Sequence, residues 1–585
     1  MNLADVSLGC ASAMVDALVA GGVRHACVSP GSRSTALALA LARHDAITVH
    51  VHLDERSAAF FALGIVKASG EPVALACTSG TAAAEYLPAV VEASQSRTPL
   101  VLLTADRPPR LRGTGANQTI DQTDLYGRFA RTYLEPPVPA TTADVAAWRD
   151  TGERAVATAT SPPTGPVHVN CCFEEPLVPD GADVGAAPDV PAAEPTAREP
   201  DREAARAALG GIFETFAGRR GVLTVGGLRP PSTLALLSLA GLLGWPVLAE
   251  PLSGLRLDAS SAGRSLAAGQ WLAGDAAWLA AHRPELVLQV GASPTTRATQ
   301  ALLGSADAVV VLDRDHLDPD PDRRAERRVR VDPELFAAVA WDEAEAGNRP
   351  PPADPAWADA WRGADLLARA AVDRTIDAWS EPFEGRIARD LAGFLPHGSV
   401  FCVGSSSPVR DLDAYMAPRR PPRIWNPTDL VRFVANRGAS GIDGFVSTTL
   451  GAAAADVGPT YALLGDLTFL YDAGALLWSA RRGAPAVLVV LRNGGGEIFS
   501  LLAQRELPEH RELFVTPHTT DLGAVCAAAG AGHERVDRAT AFLPAVERAA
   551  REGGVGVVEV VVDPELNRTR RGEVRAAVED TLRAR

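Results

Sequence analysis

Short apolar runs that end in polar turns, separated by stretches of helical pattern, recur from one end of this chain to the other. In the first third they are 25–30, 47–52, 73–78, 100–104 and 167–173; in the middle 222–226, 247–250, 286–291 and 309–313; in the last part 400–403, 461–464, 487–491 and 557–562. Strand-like runs alternating with helices predict parallel sheets with helices on their faces. Two stretches interrupt the rhythm: 176–200, rich in Pro, Ala and acidic residues, and the proline-containing 348–354. Both are expected to be linkers. The class is therefore α/β, with three domains at 1–180, 201–345 and 358–585, each a mainly parallel sheet flanked by helices. No short repeat is visible, yet the first and last domains follow one plan, as two modules gripping the two ends of one ligand would.

The sharpest chemistry sits at 465–499. One apolar run stops at Gly465-Asp466, a helical stretch follows, and a second run stops at Asn493-Gly494-Gly495-Gly496. In a βαβ unit of a parallel sheet both strands end on the edge where open α/β sheets bind ligands, so Asp466 and Asn493 are expected side by side. A carboxylate, an amide oxygen and a carbonyl from the 494–496 turn suit Mg²⁺, which takes few protein oxygens and fills its octahedron with phosphate and water. The competing reading is plain turn chemistry, since any α/β domain has strands ending in Gly-Asp or Asn-Gly. The 27-residue spacing of Asp466 and Asn493 resembles the thiamine-diphosphate motif, although Leu467 stands where many such enzymes have Gly.

Other predicted strand ends are also polar. Ser29-Pro30-Gly31-Ser32-Arg33 leads into a helix whose N-terminus would attract an anion, with Arg33 adding a bidentate fork; the serines are equally readable as helix caps. Glu55 opens a helix of small and apolar residues, where it is either a functional acid or a first-turn acid favoured by the helix dipole. His50 and His52 alternate on the preceding strand without metal-ligand spacing. Thr78-Ser79-Gly80, then Asp106-Arg107, then Asn117-Gln118 follow. In the last domain come Ser406 and Arg410, then Arg437, Ser440, Gly441 and Ile442 in the run NRGASGIDG. Arg410 and Arg437 are either surface ion-pair partners or, with the other strand-end arginines, part of a site for a polyanionic substrate.

Composition narrows the partners. The 585 residues are 47% hydrophobic and carry a net charge of −15, with no basic run, so nucleic acid is not the expected ligand. No uninterrupted apolar run reaches membrane-spanning length and the N-terminus has no signal-peptide pattern, which points to a cytoplasmic protein. Seven cysteines without CxxC spacing indicate buried thiols and neither disulfides nor a zinc site. Lys67 is the sole lysine, which excludes most lysine-dependent chemistry.

Taken together, SPGSRST, DER at 54–56, TSGTA, LTADRPP, GANQT, NRGASGIDG, GDLTFLYD and NGGGEIF resemble the 2-succinyl-5-enolpyruvyl-6-hydroxy-3-cyclohexene-1-carboxylate synthase family, thiamine-diphosphate enzymes of menaquinone biosynthesis. Leu467 is then a family marker. The resemblance spans residues 29–499 and is weak in the middle domain, where a substrate lysine is expected near Arg297. It implies pyrimidine-binding, central and diphosphate-binding domains, and a homodimer or homotetramer whose active sites lie between subunits. The cofactors would be thiamine diphosphate and Mg²⁺, with Mn²⁺ as the alternative. The implied reaction is decarboxylation of 2-oxoglutarate and 1,4-addition of the four-carbon unit to isochorismate. It makes Glu55 the catalytic partner of the cofactor pyrimidine. Glu55, Thr78, Gly80, Ser440, Gly441, Ile442, Gly465, Asp466, Leu467, Asn493 and Gly495 would bind cofactor, Asp466, Asn493 and Gly495 through the metal. Ser32, Arg33, Arg107, Asn117, Gln118, Ser406, Arg410, Arg437, Ile498 and Phe499 would bind substrate. Two other readings are an acetohydroxyacid synthase or simple 2-oxoacid decarboxylase, whose monocarboxylate needs fewer arginines, and a non-catalytic protein of the same fold.

Overall fold

The computed structural model describes residues 2–180, 202–228, 234–259, 263–315, 318–420, 429–479 and 484–584. Most of the predicted linker 176–200 therefore lies outside the described residues. The chain forms two compact units: Met1–Arg198 with Asn436–Asp456 and Tyr471–Ala484, and Glu199–Ala435 with Val457–Leu470 and Pro485–Arg585.

The first unit is built on a six-stranded parallel sheet of β1 (His25–Val28), β2 (Thr48–Val51), β3 (Val73–Cys77), β4 (Leu100–Asp106), β5 (Tyr133–Leu134) and β6 (Val167–Cys172), in the order β2-β1-β3-β4-β6-β5. Strands β3, β4 and β6 are buried along their whole length, which is why they read as unbroken apolar runs. Helix Leu3–Ala20 packs on helix Asp144–Thr160. By length and composition it is apolar enough to cross a membrane, with mean hydropathy 1.6, which the interruptions at Asp5 and Asp16 hide in a search for uninterrupted runs; 67% of it is buried in the fold. Helix Glu55–Ser69 lies against helix Phe445–Ala454. Their backbones touch because Gly64 and Gly451 have no side chain: a Cβ at either would overlap a carbonyl oxygen of the other helix, Thr448 O or Phe61 O.

The second unit holds two larger sheets. One comprises β7 (Gly221–Val225), β8 (Val247–Ala249), β11 (Leu286–Val290), β12 (Ala308–Leu312) and β13 (Ala325–Val329), all parallel in the order β13-β12-β11-β7-β8; β9 (Asp258–Ala259) and β10 (Gly263–Arg264) form a small antiparallel pair beside it. The other comprises β14 (Val400–Val403), β15 (Arg432–Val434), β16 (Thr460–Gly465), β17 (Ala486–Arg492), β18 (Gly532–Val536) and β19 (Val555–Val561), parallel in the order β15-β14-β16-β17-β19-β18. One hydrophobic core runs from Ala205 and Trp245 through Trp361 to Val574 and Leu582, so the middle and last parts of the chain are not independently packed. Buried Arg256 adds to this by donating to the Leu412 and Asp413 carbonyls.

Within the three larger sheets four strands carry no apolar run: β5, β13, β15 and β18. Each is the outermost strand of its sheet. An edge strand has only one neighbour and tolerates charge, and sequences such as AERRV and GHERV carry little hydrophobic signal.

The glycine contact between the two helices of the first unit predicts that Gly64→Ala and Gly451→Ala each lower stability by about 1–3 kcal/mol, the cost of overpacking. Gly9→Ala, in a helix where a Cβ would meet nothing, should leave the melting temperature unchanged or slightly raised. Equal melting curves for all three variants would contradict the close backbone approach.

Candidate active site

In the first unit the turns after β1, β3 and β4 converge. Arg33, buried, donates to the Phe173 carbonyl at 2.9 Å and to Glu175 at 3.2 Å. Arg107 donates to Ser79 Oγ and to the Gln118 carbonyl, both at 2.6 Å. Burial, and then the neighbouring charge of Arg33, pull the Arg107 guanidinium below its ordinary pKa. Two guanidinium groups this close, with Glu175 largely exposed beside them, make a site that a carboxylate-bearing ligand would neutralise. The turns fit only because two positions are glycine: a Cβ on Gly31 would overlap Thr78, and Gly80, at φ +83°, faces Gln118. Gln118, at φ +52°, folds its own loop back by donating Nε2 to the Ser79 carbonyl at 3.1 Å. Ser32, Asn117 and Gln118 are exposed at this rim, while Thr78 is buried. The Ser34 hydroxyl donates to the Gly31 carbonyl and does not cap the following helix.

Glu55 is the first residue of its helix, and the capping is done by Asp54, which accepts from Ser57 N at 3.2 Å. Burial pushes the half-buried Glu55 carboxyl above the usual carboxylate range, with Asp54 and Glu85 adding to the effect. The NRGASGIDG loop is pinned from below by fully buried Glu92, whose carboxylate accepts from the backbone N–H groups of Gly438 (3.0 Å), Ala439 (2.6 Å) and Ser440 (2.9 Å). Lys67 donates to Glu92 at 2.8 Å and to Asn436 Oδ1 at 3.1 Å. Burial alone would push the Glu92 carboxyl up, but Lys67 and the loop N–H groups outweigh it and hold the pKa at about 2. This fixes Ser440 and Ile442, both half-buried, and the exposed Arg437 and Gly441.

In the second unit, β16 and β17 pair so that Gly465 lies opposite Leu491, which sets Asp466 beside the turn that begins at Asn493. Asp466 is 1% exposed; Oδ1 accepts from Leu467 N at 2.7 Å and Oδ2 from Gly494 N at 2.8 Å, with His518 Nε2 at 3.3 Å. Burial pushes its pKa up, against the pull of the Gly494 N–H and His518. Asn493 donates Nδ2 to Glu384 at 2.8 Å. Gly495, at φ +154°, lies where a Cβ would overlap the Val515 carbonyl oxygen. At the end of β14, half-buried Ser406 starts the next helix without a side-chain cap, and Arg410 donates to the carbonyls of Ser405 (2.9 Å) and Ser406 (2.7 Å). Half-buried Ile498 and Phe499 sit on the short helix Glu497–Leu501, Phe499 tilted against Phe514 at 5.5 Å.

These donors fit a hard cation. Among the described residues no three His, Cys, Asp or Glu side chains converge as a soft-metal site would need, whereas a buried carboxylate beside an amide and a glycine turn supplies oxygen ligands of the kind Mg²⁺ takes alongside phosphate. All seven cysteines are buried and none is in a disulfide. Arg297 is exposed at the start of its helix. Sequence reasoning passed over Glu92, Glu384, Arg571 and His518. Only the interruption of an apolar helix by a fully buried acid at Glu92 left any mark in the pattern.

Two family descriptions match the chain: thiamine pyrophosphate enzyme, N-terminal TPP binding domain, over residues 9–125, and thiamine pyrophosphate enzyme, C-terminal TPP binding domain, over residues 422–560. They define the class as a thiamine pyrophosphate (thiamine diphosphate) enzyme. Among its relatives are proteins named 2-succinyl-5-enolpyruvyl-6-hydroxy-3-cyclohexene-1-carboxylate synthase. The one from Chloroflexus aurantiacus is 40% identical over 94% of this chain and 92% of its own length. That from Thermobifida fusca is 41% identical over 99% and 100%, and that from Geobacillus kaustophilus 39% over 95% and 95%. The chain belongs to this synthase family.

The Glu92 clamp makes two predictions about stability. Lys67→Met leaves a buried carboxylate without its cation and should cost about 3–5 kcal/mol. With a folded pKa of about 2 against about 4.3 unfolded, Glu92 contributes about 3 kcal/mol that is complete above pH 4.3 and lost as pH falls toward 2. Denaturant titrations of the parent and Glu92→Gln across pH 2–6 should show this acid-side slope in the parent and a shallower one in the variant; parallel slopes would contradict the clamp.

Proposed function

We propose that this chain decarboxylates 2-oxoglutarate and adds the resulting four-carbon unit to isochorismate in a 1,4-addition, forming 2-succinyl-5-enolpyruvyl-6-hydroxy-3-cyclohexene-1-carboxylate. The observation that carries this reading is near-full-length similarity to synthases of that name. The site residues agree in chemistry: both substrates carry carboxylates, and arginines follow β1, β4 and β14, while residues that suit a metal and a diphosphate follow β16 and β17.

Bound thiamine diphosphate supplies an electron sink for the carbanion left by decarboxylation. The protein's own part is to bind, orient and move protons. Glu55, its pKa raised by burial, is suited to share a proton with a pyrimidine nitrogen. Thr78 and Gly80 would line the pyrimidine, and Ser440, Gly441 and Ile442, held in place through Glu92, would support the cofactor's shape. Gly465, Asp466, Leu467, Asn493 and Gly495 would hold the diphosphate, with Asp466, Asn493 and the Gly495 carbonyl on Mg²⁺ or Mn²⁺. Arg33, Arg107, Arg410 and Arg437, with Ser32, Asn117, Gln118 and Ser406, would bind substrate carboxylates, and Ile498 and Phe499 would wall the pocket and keep water out. The three functional parts are 1–180, 201–345 and 358–585, and the working form is a cytoplasmic homodimer or homotetramer with active sites completed between subunits.

Purified protein with Mg²⁺, thiamine diphosphate and 2-oxoglutarate should consume isochorismate, seen as loss of its absorbance. No turnover, or equal turnover with pyruvate, would overturn this reading. Glu55→Gln should slow the reaction by about 10²–10⁴-fold, the range for a lost acid–base group, while thiamine diphosphate still binds.

A further inference from the structure

An asparagine can offer a metal its oxygen or, turned by half a rotation, its NH₂ group, and only the oxygen is a ligand. At Asn493 the choice is imposed from behind. Its Nδ2 donates to Glu384 Oε1 at 2.8 Å. Ionised glutamate only accepts, so the amide nitrogen must face it and Oδ1 must face the glycine turn, where among the described residues it accepts a long hydrogen bond from Gly495 N at 3.4 Å. Glu384 is itself fixed. It is 2% exposed, its other oxygen accepts from Arg571 Nη2 at 2.6 Å, and Arg571, on the C-terminal helix Pro564–Arg583, is also held by both oxygens of buried Asp411. The Arg571 guanidinium lies over the Phe383 ring, 5.7 Å from its centroid.

We infer that Glu384, locked by Arg571 and Asp411, is a positioning residue for the metal site: it sets the rotation of the Asn493 amide so that Oδ1 is presented to the cation. This rests on the proposed placement of a metal at Asp466 and Asn493. It extends that site through a chain of charged groups to the last helix of the protein.

The arrangement dictates what a near-isosteric change does. In Glu384→Gln, residue 384 keeps one oxygen, and the cationic Arg571 claims it. The new NH₂ group then faces Asn493, which must turn its oxygen inward and its nitrogen toward the metal. No cavity is created and Arg571 keeps Asp411, so the fold should survive. Adding Asn493→Asp to Glu384→Gln restores the function by different chemistry, because a carboxylate at 493 can accept from the new amide with one oxygen and offer the other to the cation.

The test is Mn²⁺ binding to the full-length protein at saturating thiamine diphosphate, read from the electron paramagnetic resonance signal of the free ion, with melting temperature measured without metal. Glu384→Gln should weaken Mn²⁺ binding about 10–100-fold, the usual cost of losing a ligand's supporting partner, at a nearly unchanged melting temperature. The double variant should recover to within about threefold of the parent. Asn493→Ala should lose at least as much as Glu384→Gln. If Asn493→Ala is impaired and Glu384→Gln binds like the parent, the positioning role is wrong and the metal site stands. If the double variant stays as weak as Glu384→Gln, the amide-rotation argument is wrong. If Asn493→Ala binds Mn²⁺ like the parent, the metal reading fails and the inference with it.

Discussion

The pairing of β16 with β17 is the constraint on which the proposed diphosphate site depends. Its register puts a buried carboxylate at the end of one strand level with the start of a glycine turn on the next. An ionised carboxylate with 1% exposure is costly unless its oxygens are satisfied, and two backbone N–H groups with His518 supply only part of what water would. A divalent cation would complete it. The same parallel topology brings Ser406 and Arg410, at the end of the neighbouring β14, to the same edge.

In the first unit the equivalent constraint is steric. Gly31, Gly64, Gly80 and Gly451 stand where a Cβ would meet Thr78, the Thr448 carbonyl, Gln118 or the Phe61 carbonyl. Because the side chains are missing, the turn carrying Arg33 can sit on Thr78 and the Glu55 helix can lie backbone to backbone on helix Phe445–Ala454. That second contact, with the Glu92 clamp, ties the NRGASGIDG loop to the helix that presents Glu55, although hundreds of residues separate them in sequence. One ion pair, Lys67 with Glu92, thus uses the chain's only lysine to order a proposed cofactor loop.

Much of this was legible in the residues. Central strands of a parallel sheet are buried on both faces, so β3, β4, β6, β16 and β17 announce themselves as apolar runs, and the polar groups that follow them mark the ligand edge. What was not legible has two physical sources. Edge strands such as β13 and β18 are polar because half their hydrogen-bonding edge meets no neighbour. Supporting residues such as Glu384, Arg571 and Glu92 act through distant partners, and no local pattern distinguishes a buried glutamate that accepts from a ligand's amide from one on a solvated helix. The middle of the chain illustrates a third limit: its strands were recognisable, but the core it shares with the last part of the chain depends on contacts between distant residues, such as Arg256 with the Leu412 and Asp413 carbonyls, more than 150 positions apart.

The most direct measurement is a crystal structure of the protein grown with thiamine diphosphate and Mn²⁺, with the metal located by anomalous scattering. The peak is expected within about 2.5 Å of an Asp466 carboxylate oxygen, Asn493 Oδ1 and the Gly495 carbonyl, with diphosphate oxygens completing the octahedron. A peak bound elsewhere, or a diphosphate lying away from the β16 and β17 strand ends, would contradict the site proposed for this chain.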